Sequence, residues 1–304
     1  MKILIIGLGS IGKKHVKAIQ SVVPDAEIFA LRSKSAAEKH AGVTNIYHLD
    51  EAERIALDFV IIASPTSDHK NAIAQQVARG LPLFIEKPLY SSLDVEAEVN
   101  ALNAKGILTY VACNLRFLDC IQFIKGQLPE LRNKKLNEVN VYCGSYLPDW
   151  RPGDFRNTYS ANASLGGGVH IDLIHELDYL YWLFGMPARI GRNFRSQSSL
   201  SISSFDYANY LLDYDGFCAT VVLNYYRRDT KRSLELVFDD ETWSVDLLKN
   251  QVCSNRQVIF SSKQIIADTY QRQMEYFIQC VKEKADPFNT VSDAYNVLKI
   301  CLDK

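Results

Sequence analysis

Three side chains of this sequence could act together on a substrate hydroxyl. Asp172 and His175 are three residues apart in a helix-like stretch, so they would share one helix face. A carboxylate beside a histidine orients the ring and keeps it basic, as a proton acceptor near neutral pH requires. Lys87 directly follows a short apolar run and precedes Pro88, so it could be partly desolvated and directed at a substrate oxygen.

Each of these residues also has an ordinary structural explanation. Lys87 could be a surface charge at a strand end, and Asp172 an acidic residue near a helix N-terminus. His175 could be a partly buried histidine with no chemical task. The surrounding elements decide between the catalytic and the structural interpretation, because catalytic side chains must be brought to one place by the fold.

The N-terminal sequence predicts a dinucleotide-binding turn. An apolar run leads directly into G-x-G-x-x-G and then into a helical pattern. Gly7 would make the tight turn, Gly9 would let the backbone approach a pyrophosphate, and Gly12 would let the helix pack closely on the strand. The free N–H groups of the helix N-terminus, around Ser10 and Ile11, would face the phosphates.

Short apolar runs alternate with helical stretches in the first part of the chain, which predicts a parallel, doubly wound sheet. From about residue 135, strand-like segments joined by turns indicate a mainly antiparallel sheet, interrupted by one helix at about 167–184. Two helical stretches end the chain. We therefore expect an α/β protein with a nucleotide-binding domain over 1–118 and an α+β domain with a large open sheet over 119–304.

Loops after the carboxyl ends of strands line the ligand crevice of a doubly wound fold. Three loops in such positions carry polar side chains. We expect two of them to contact the cofactor, through Ser64, Pro65, Thr66, His69, Glu86 and Lys87. The third contains Asn114 and Arg116, which we expect to contact the substrate.

The ordered set GLGSIG, SPTSDH, EKP, NLRF and GGGVHIDLIHELDYL resembles the Gfo/Idh/MocA family of oxidoreductases over essentially the whole chain. The resemblance implies an N-terminal Rossmann domain, a C-terminal domain whose open sheet often mediates oligomers, and NAD(P)-dependent oxidation or reduction of sugars and related polyols. It also implies that Lys87 is catalytic and that Asp172 and His175 match the family's Asp and His. Many members space that pair four apart, and either spacing keeps both on one helix face.

The end of the second strand bears on the choice of cofactor. NAD sites usually carry an acid there, whereas NADP sites place an arginine near the 2′-phosphate. This chain has Leu31-Arg32-Ser33-Lys34, which favours NADP(H) over NAD(H). Arg32 could equally be a solvated cation that stacks on adenine.

An aromatic and charged loop lies between a predicted strand and the glycine-led helix. It could stack a sugar on Trp150 and hold a carboxylate or phosphate with Arg151 or Arg156. The same residue types are enriched at interfaces, so the loop could equally form an oligomer contact.

Composition excludes several partner classes. The 304 residues carry 34 Lys and Arg against 35 Asp and Glu, so the chain lacks the excess of positive charge that binds nucleic acid or a membrane surface. The apolar N-terminal run is too short for a membrane span and lacks a cleavage site, so we expect a cytoplasmic protein. Seven scattered cysteines indicate reduced thiols and no metal site. Apolar residues on both faces of the later strands predict a homodimer or homotetramer.

These observations predict hydride transfer between a nicotinamide cofactor and a hydroxyl- or keto-bearing carbon of a sugar, polyol or nucleotide-sugar derivative. His175 would take the hydroxyl proton, Lys87 would polarise the same oxygen, and Asp172 would orient one of them. Two alternatives stay open. One is a glycoside-cleaving enzyme that uses the nicotinamide transiently, and the other is a non-catalytic sensor that binds the cofactor.

Overall fold

A computed structural model of the chain describes residues 1–33 and 38–302. The contacts divide these residues into two compact units. Unit 1 comprises Met1–Asn114 and Ala267–Leu298. Unit 2 comprises Leu115–Ile266 and the segment that begins at Lys299.

The strands of the described residues form two sheets. In chain order they are β1 (Lys2–Ile6), β2 (Glu27–Leu31), β3 (Val43–Ile46), β4 (Phe59–Ile62), β5 (Leu83–Glu86), β6 (Thr109–Ala112), β7 (Leu136–Tyr146), β8 (Arg189–Arg195), β9 (Tyr207–Tyr214), β10 (Phe217–Asn224), β11 (Tyr226–Phe238), β12 (Thr242–Asp246), β13 (Gln251–Ser254) and β14 (Gln257–Ser261).

The α-helices described are α1 (Ser10–Val22), α2 (Leu49–Glu53), α3 (His69–Val77), α4 (Glu96–Ala104), α5 (Asp119–Gln127), α6 (Val169–Asp172), α7 (His175–Phe184), α8 (Thr269–Glu283) and α9 (Val291–Cys301). None of the helices in the described ranges is long and apolar enough to cross a membrane. All seven cysteines lie in these ranges and are free thiols.

The sheet of unit 1 is parallel throughout, in the order β3-β2-β1-β4-β5-β6. Every residue of β4, β5 and β6 is buried, because elements cover both faces of a parallel sheet. The strand order reverses between β1 and β4. Ligands of doubly wound folds bind at such a reversal, outside the carboxyl ends of the strands.

The helices α8 and α9 correct the predicted domain division, which placed all of 119–304 in the second domain. Phe277 of α8 packs edge-on against Phe59 and Phe84 of the parallel sheet, with centroids 5.1 and 5.3 Å apart. Asn289 donates to the carbonyl oxygen of Val111 over 2.6 Å. The chain returns to unit 1 because an apolar face of that sheet needs cover. The first boundary between the two units falls after Asn114.

The sheet of unit 2 has the order β14-β13-β12-β11-β7-β10-β9-β8. It is antiparallel except where β7 pairs with β10. Burial alternates along the middle of β7, so that Val139, Val141 and Cys143 face the core while Asn140 and Tyr142 between them are more exposed. The fold class expected from the sequence is therefore confirmed, with one parallel pair inside the second sheet.

The single helix predicted over 167–184 is two helices. Asp172 ends α6, His175 begins α7, and Leu173 between them has φ −100° and ψ 28°, outside the helical range. The two residues therefore do not share the face of one continuous helix. The apolar side chains of Leu173 and Ile174 are both buried, so they continue the helical hydrophobic pattern across the break.

Candidate active site

The glycine turn after β1 touches the loop after β4. Gly7 has φ +93°, and a Cβ there would lie 2.7 Å from the backbone nitrogen and Cα of Ser64. A Cβ on Gly12 would lie 2.5 Å from the carbonyl oxygen of Gly7. Both positions therefore require glycine, one for conformation and close approach and the other for close packing of the helix.

The N-terminus of α1 faces open space. Gly9 is its N-cap residue, no side chain of the described residues caps it, and its first turn carries no acid. A Cβ on Gly9 would meet no described atom within 4 Å. Ser10 and Ile11 begin the helix, so their backbone N–H groups lack helical partners and can bind an anion. This end of α1 therefore fits a pyrophosphate.

The end of β2 carries a cation and no acid. Arg32 is half-buried, and its Nη1 lies 3.4 Å from the carbonyl oxygen of Glu38 and 3.5 Å from Oδ1 of Asn45. Ser33 is exposed. Lys34, the second cation of the predicted NADP signature, lies outside the described residues.

The loop after β4 contains Ser64, whose Oγ is buried without a hydrogen-bond partner among the described residues. Pro65 is exposed and Thr66 half-buried, at the start of a short 3₁₀ turn that leads into α3. These positions are compatible with the predicted cofactor contacts.

His69, which is predicted to contact the cofactor, lies against three backbone carbonyl oxygens. Its ring is buried, with Nδ1 3.1 Å from the carbonyl oxygens of both Pro88 and Leu89, and Nε2 3.1 Å from that of Ser64. Burial lowers the pKa of His69. The ring therefore joins the loops after β4 and β5.

Lys87 is half-buried and follows β5 directly, as predicted. Glu86 is buried, and its carboxylate accepts hydrogen bonds from Nε2 of His15 over 2.6 Å and from the backbone N–H of Lys87 over 3.2 Å. That Glu86 contacts the cofactor stays a prediction. Sequence reasoning missed His15, whose signal was a polar residue on the buried face of α1.

In unit 2 the carboxylate of Asp172 binds a buried tyrosine. The hydroxyl of Tyr225 lies 2.5 Å from Oδ2 of Asp172. Burial and the nearby carboxylate raise the pKa of Tyr225, so the hydroxyl keeps its proton and donates to Asp172. Tyr225 directly follows β10, and no motif in the sequence indicated its bond to Asp172.

The two histidines near Asp172 have different surroundings. His175 is half-buried at the first position of α7. His170 is buried and packs against the rings of Phe194 and Phe205, with centroids 5.1 and 5.4 Å away. Burial lowers the pKa of His170 to about 4. His175 is therefore the more accessible of the two as a proton acceptor.

The predicted substrate loop contacts Tyr225 through the ring of Trp150. Trp150 is 37% exposed, donates through Nε1 to Oγ of Ser145 over 3.0 Å, and meets the ring of Tyr225 edge-on at 5.3 Å. Arg151 is exposed and lines a small pocket with Trp150. Arg156 is exposed and lies 3.5 Å from Oδ1 of Asp154. The contacts thus run from Trp150 through Tyr225 to Asp172.

The two remaining residues that are predicted to contact the substrate are both buried. Asn114 is buried and donates to Oγ1 of Thr269 over 2.7 Å. Arg116 is 1% exposed and binds Asp178 through two hydrogen bonds of 2.9 and 2.7 Å. An arginine that is buried needs such a partner, so the pair with Asp178 gives Arg116 a structural role, and its contact with the substrate stays a prediction.

The described residues contain no group of three or more His, Cys, Asp or Glu side chains that could hold a metal ion.

Two family models match the chain. The first is described as an oxidoreductase family with an NAD-binding Rossmann fold and matches residues 1–112. The second is the Gfo/Idh/MocA C-terminal domain, which matches residues 131–244.

Curated and solved proteins agree with these matches. The chain is 26% identical over 317 residues to scyllo-inositol 2-dehydrogenase (NAD(+)) of Bacillus subtilis, covering 95% of this chain and 89% of that protein. The structure of scyllo-inositol dehydrogenase from Lactobacillus casei superposes with TM-score 0.82 at 19% identity, covering 99% and 94%. UDP-N-acetylglucosamine 3-dehydrogenase from Acidithiobacillus ferrooxidans superposes with TM-score 0.79 at 20% identity, covering 99% and 96%.

Proposed function

Because the chain belongs to the Gfo/Idh/MocA family of oxidoreductases, we propose that it transfers a hydride between a nicotinamide cofactor and a CH–OH carbon of a sugar-type substrate. The observation that carries this proposal is the match of both family models in order along one chain. The similar proteins named above act on an inositol or on a nucleotide sugar. Cyclic polyols and nucleotide sugars are therefore the first substrates to test.

The turn between β1 and α1 would hold the dinucleotide. Gly7, Gly9 and Gly12 leave the backbone accessible, and the N–H groups of Ser10 and Ile11 suit the negative charge of a pyrophosphate. The open space beside Gly9 is what a bound phosphate requires. When bound, the nicotinamide ring supplies the acceptor or donor of the hydride.

The choice between NAD(H) and NADP(H) rests on Arg32 and Ser33. The absence of an acid in Leu31-Arg32-Ser33 supports the preference for NADP(H). The names of several similar proteins specify NAD instead, including the curated enzyme of Bacillus subtilis. We therefore propose a nicotinamide dinucleotide as the cofactor, with NADP(H) preferred because of Arg32.

The chain's own residues would manage the substrate proton. In the oxidative direction, Lys87 polarises the hydroxyl oxygen and His175 accepts the proton. Asp172 orients His175 or Lys87, and the hydrogen bond from Tyr225 fixes the carboxylate. The half-buried positions of Lys87 and His175 support this assignment, since both groups are reachable and partly desolvated.

The open face of the unit 2 sheet supports a further proposal, that copies of the chain associate through it. Leu211 on β9 is 54% exposed, and Val222 on β10 lies on the same face. Covering such side chains removes apolar surface from water. We expect light scattering at micromolar concentration to give a dimer or tetramer, and a monomer would count against the proposal.

A cofactor-coupled substrate screen tests the proposed function. Purified protein is mixed with NAD⁺ or NADP⁺ and with inositols, aldoses, sugar acids and UDP-sugars, and nicotinamide absorbance is followed. We expect net reduction with at least one substrate class. A folded Gly9→Trp variant is the control, because the indole would fill the space beside the α1 N-terminus. Equal reduction by that variant would contradict the assigned pyrophosphate site.

A further inference from the structure

A buried hydrogen-bonded pair joins α1 to the residue before Lys87. His15 is on α1, three residues after Gly12, and its side chain is fully buried. Its Nε2 donates to Oε1 of Glu86, the last residue of β5, over 2.6 Å. Burying a carboxylate is costly unless a partner binds it, so the pairing fixes the position of the Glu86 side chain.

The second oxygen of Glu86 binds the backbone of Lys87. The N–H of Lys87 donates to Oε2 over 3.2 Å. One carboxylate therefore receives hydrogen bonds from the ring of His15 and from the peptide of Lys87, and all three residues belong to unit 1. A lysine has a flexible four-carbon stem, so the position of its backbone limits where the ammonium group can reach.

Aromatic side chains enclose the ring of His15. Its centroid lies 4.9 Å from that of Phe84 and 6.3 Å from that of Tyr270, both in edge-to-face geometry. Phe84 precedes Glu86 by two residues on β5, so both point to the same side of the sheet. Nδ1 of His15 is buried without a hydrogen-bond partner among the described residues. The bond to Glu86 is thus the polar contact that the structure gives this ring.

We infer that His15 and Glu86 are positioning residues for Lys87. They hold its backbone at a fixed place relative to α1, the helix whose N-terminus would bind the cofactor phosphates. The inference rests on the proposed function, in which Lys87 acts on the substrate oxygen. A misplacement of about 1 Å at a reacting group can cost about 10²-fold in rate. Loss of the Glu86 carboxylate should therefore lower kcat and leave dinucleotide affinity nearly unchanged.

Amide hydrogen exchange at Lys87 tests the positioning without substrate or cofactor. We expect exchange at least about 10-fold faster in Glu86→Ala, because the N–H loses its acceptor. His15→Leu should also accelerate exchange, since the carboxylate loses its anchor. Glu86→Gln keeps an acceptor for the N–H and should stay close to wild type. Glu96→Ala, an exposed acid on α4, is the matched control. Unchanged exchange in Glu86→Ala would overturn the inference.

A double-mutant comparison tests whether Glu86 acts through Lys87. We expect Glu86→Ala to lower kcat by about 10- to 100-fold, and Glu86→Ala with Lys87→Ala to be no slower than Lys87→Ala alone. Losses that multiply would show an independent effect of Glu86 and would contradict the inference. If Lys87→Ala alone turns over like wild type, the proposed role of Lys87 fails, and the exchange measurement still decides whether the pair positions its backbone.

Discussion

The hydroxyl of Tyr225 lies 2.5 Å from Oδ2 of Asp172, and the same tyrosine ring meets Trp150 edge-on. Tyr225 is fully buried, whereas Asp172 is half-buried and Trp150 partly exposed. The buried hydroxyl of Tyr225 thus fixes the carboxylate of Asp172, while its ring contacts Trp150 of the predicted substrate loop. This relationship gives Asp172 a partner from the connection between β10 and β11, outside its own helix.

Replacing Tyr225 by phenylalanine should lower turnover while leaving the cofactor affinity unchanged. The carboxylate of Asp172 would lose a hydrogen bond of the charged type, which contributes about 1.5–3 kcal/mol and corresponds to about 10- to 100-fold in kcat. Tyr226→Phe, at the next and more exposed position, is the control. A Tyr225→Phe enzyme as fast as the control would show that this hydrogen bond does not serve the reaction.

His170 should make the stability of the protein depend on pH. Its folded-state pKa of about 4 lies below the usual 6.5. As the pH falls through 6.5, His170 of the unfolded chain therefore binds a proton, whereas His170 of the folded protein stays neutral until about pH 4. Stability is therefore lost between pH 6.5 and 4, by up to roughly 3 kcal/mol. Urea unfolding of His170→Leu should show a correspondingly flatter pH dependence than wild type over this window. Equal slopes would mean that His170 titrates normally in the folded state.

Loss of Arg116 should destabilise the fold. Removing one partner of a buried ion pair leaves Asp178 uncompensated, which costs about 3–5 kcal/mol. Arg116→Ala should therefore unfold at much lower denaturant concentration than wild type, whereas the exposed Arg156→Ala should change stability by less than about 0.5 kcal/mol. Wild-type stability of Arg116→Ala with a raised KM for substrate would restore the substrate contact that the sequence suggested.

Arg32 provides the test of cofactor preference. If it binds the 2′-phosphate, Arg32→Ala should weaken NADPH binding by about 10- to 100-fold, as expected for a charge-assisted hydrogen bond, and NADH binding much less. Fluorescence titration of both dinucleotides gives the two affinities, with Arg54→Ala, an exposed cation of the same unit, as control. Equal losses for both, or tighter binding of NADH by wild type, would exclude the NADP(H) preference.

Local signals allowed part of the site to be predicted from the sequence. The glycine turn and Lys87 each follow a predicted strand directly, so their placement at strand ends could be anticipated. The break between Asp172 and His175 could not, because Leu173 and Ile174 maintain the helical hydrophobic pattern.

Long-range pairing explains the remaining differences. Arg116 binds Asp178 at a separation of 62 residues, and His15 binds Glu86 at a separation of 71. The cover that α8 gives to the parallel sheet likewise depends on a return of the chain. Single-sequence patterns describe neighbours along the chain, so they do not reveal which distant side chains bind one another.

Isotope transfer from substrate to cofactor tests the central claim most directly. A substrate found by the screen is prepared with deuterium on its hydroxyl-bearing carbon, incubated with oxidised cofactor and enzyme, and both products are analysed by mass spectrometry. We predict one deuterium on the reduced nicotinamide for each molecule of substrate oxidised, with a rate lower by about 10²–10⁴-fold in His175→Ala. Reduced cofactor without deuterium would contradict the account, as would a screen that finds only substrate cleavage without net cofactor reduction.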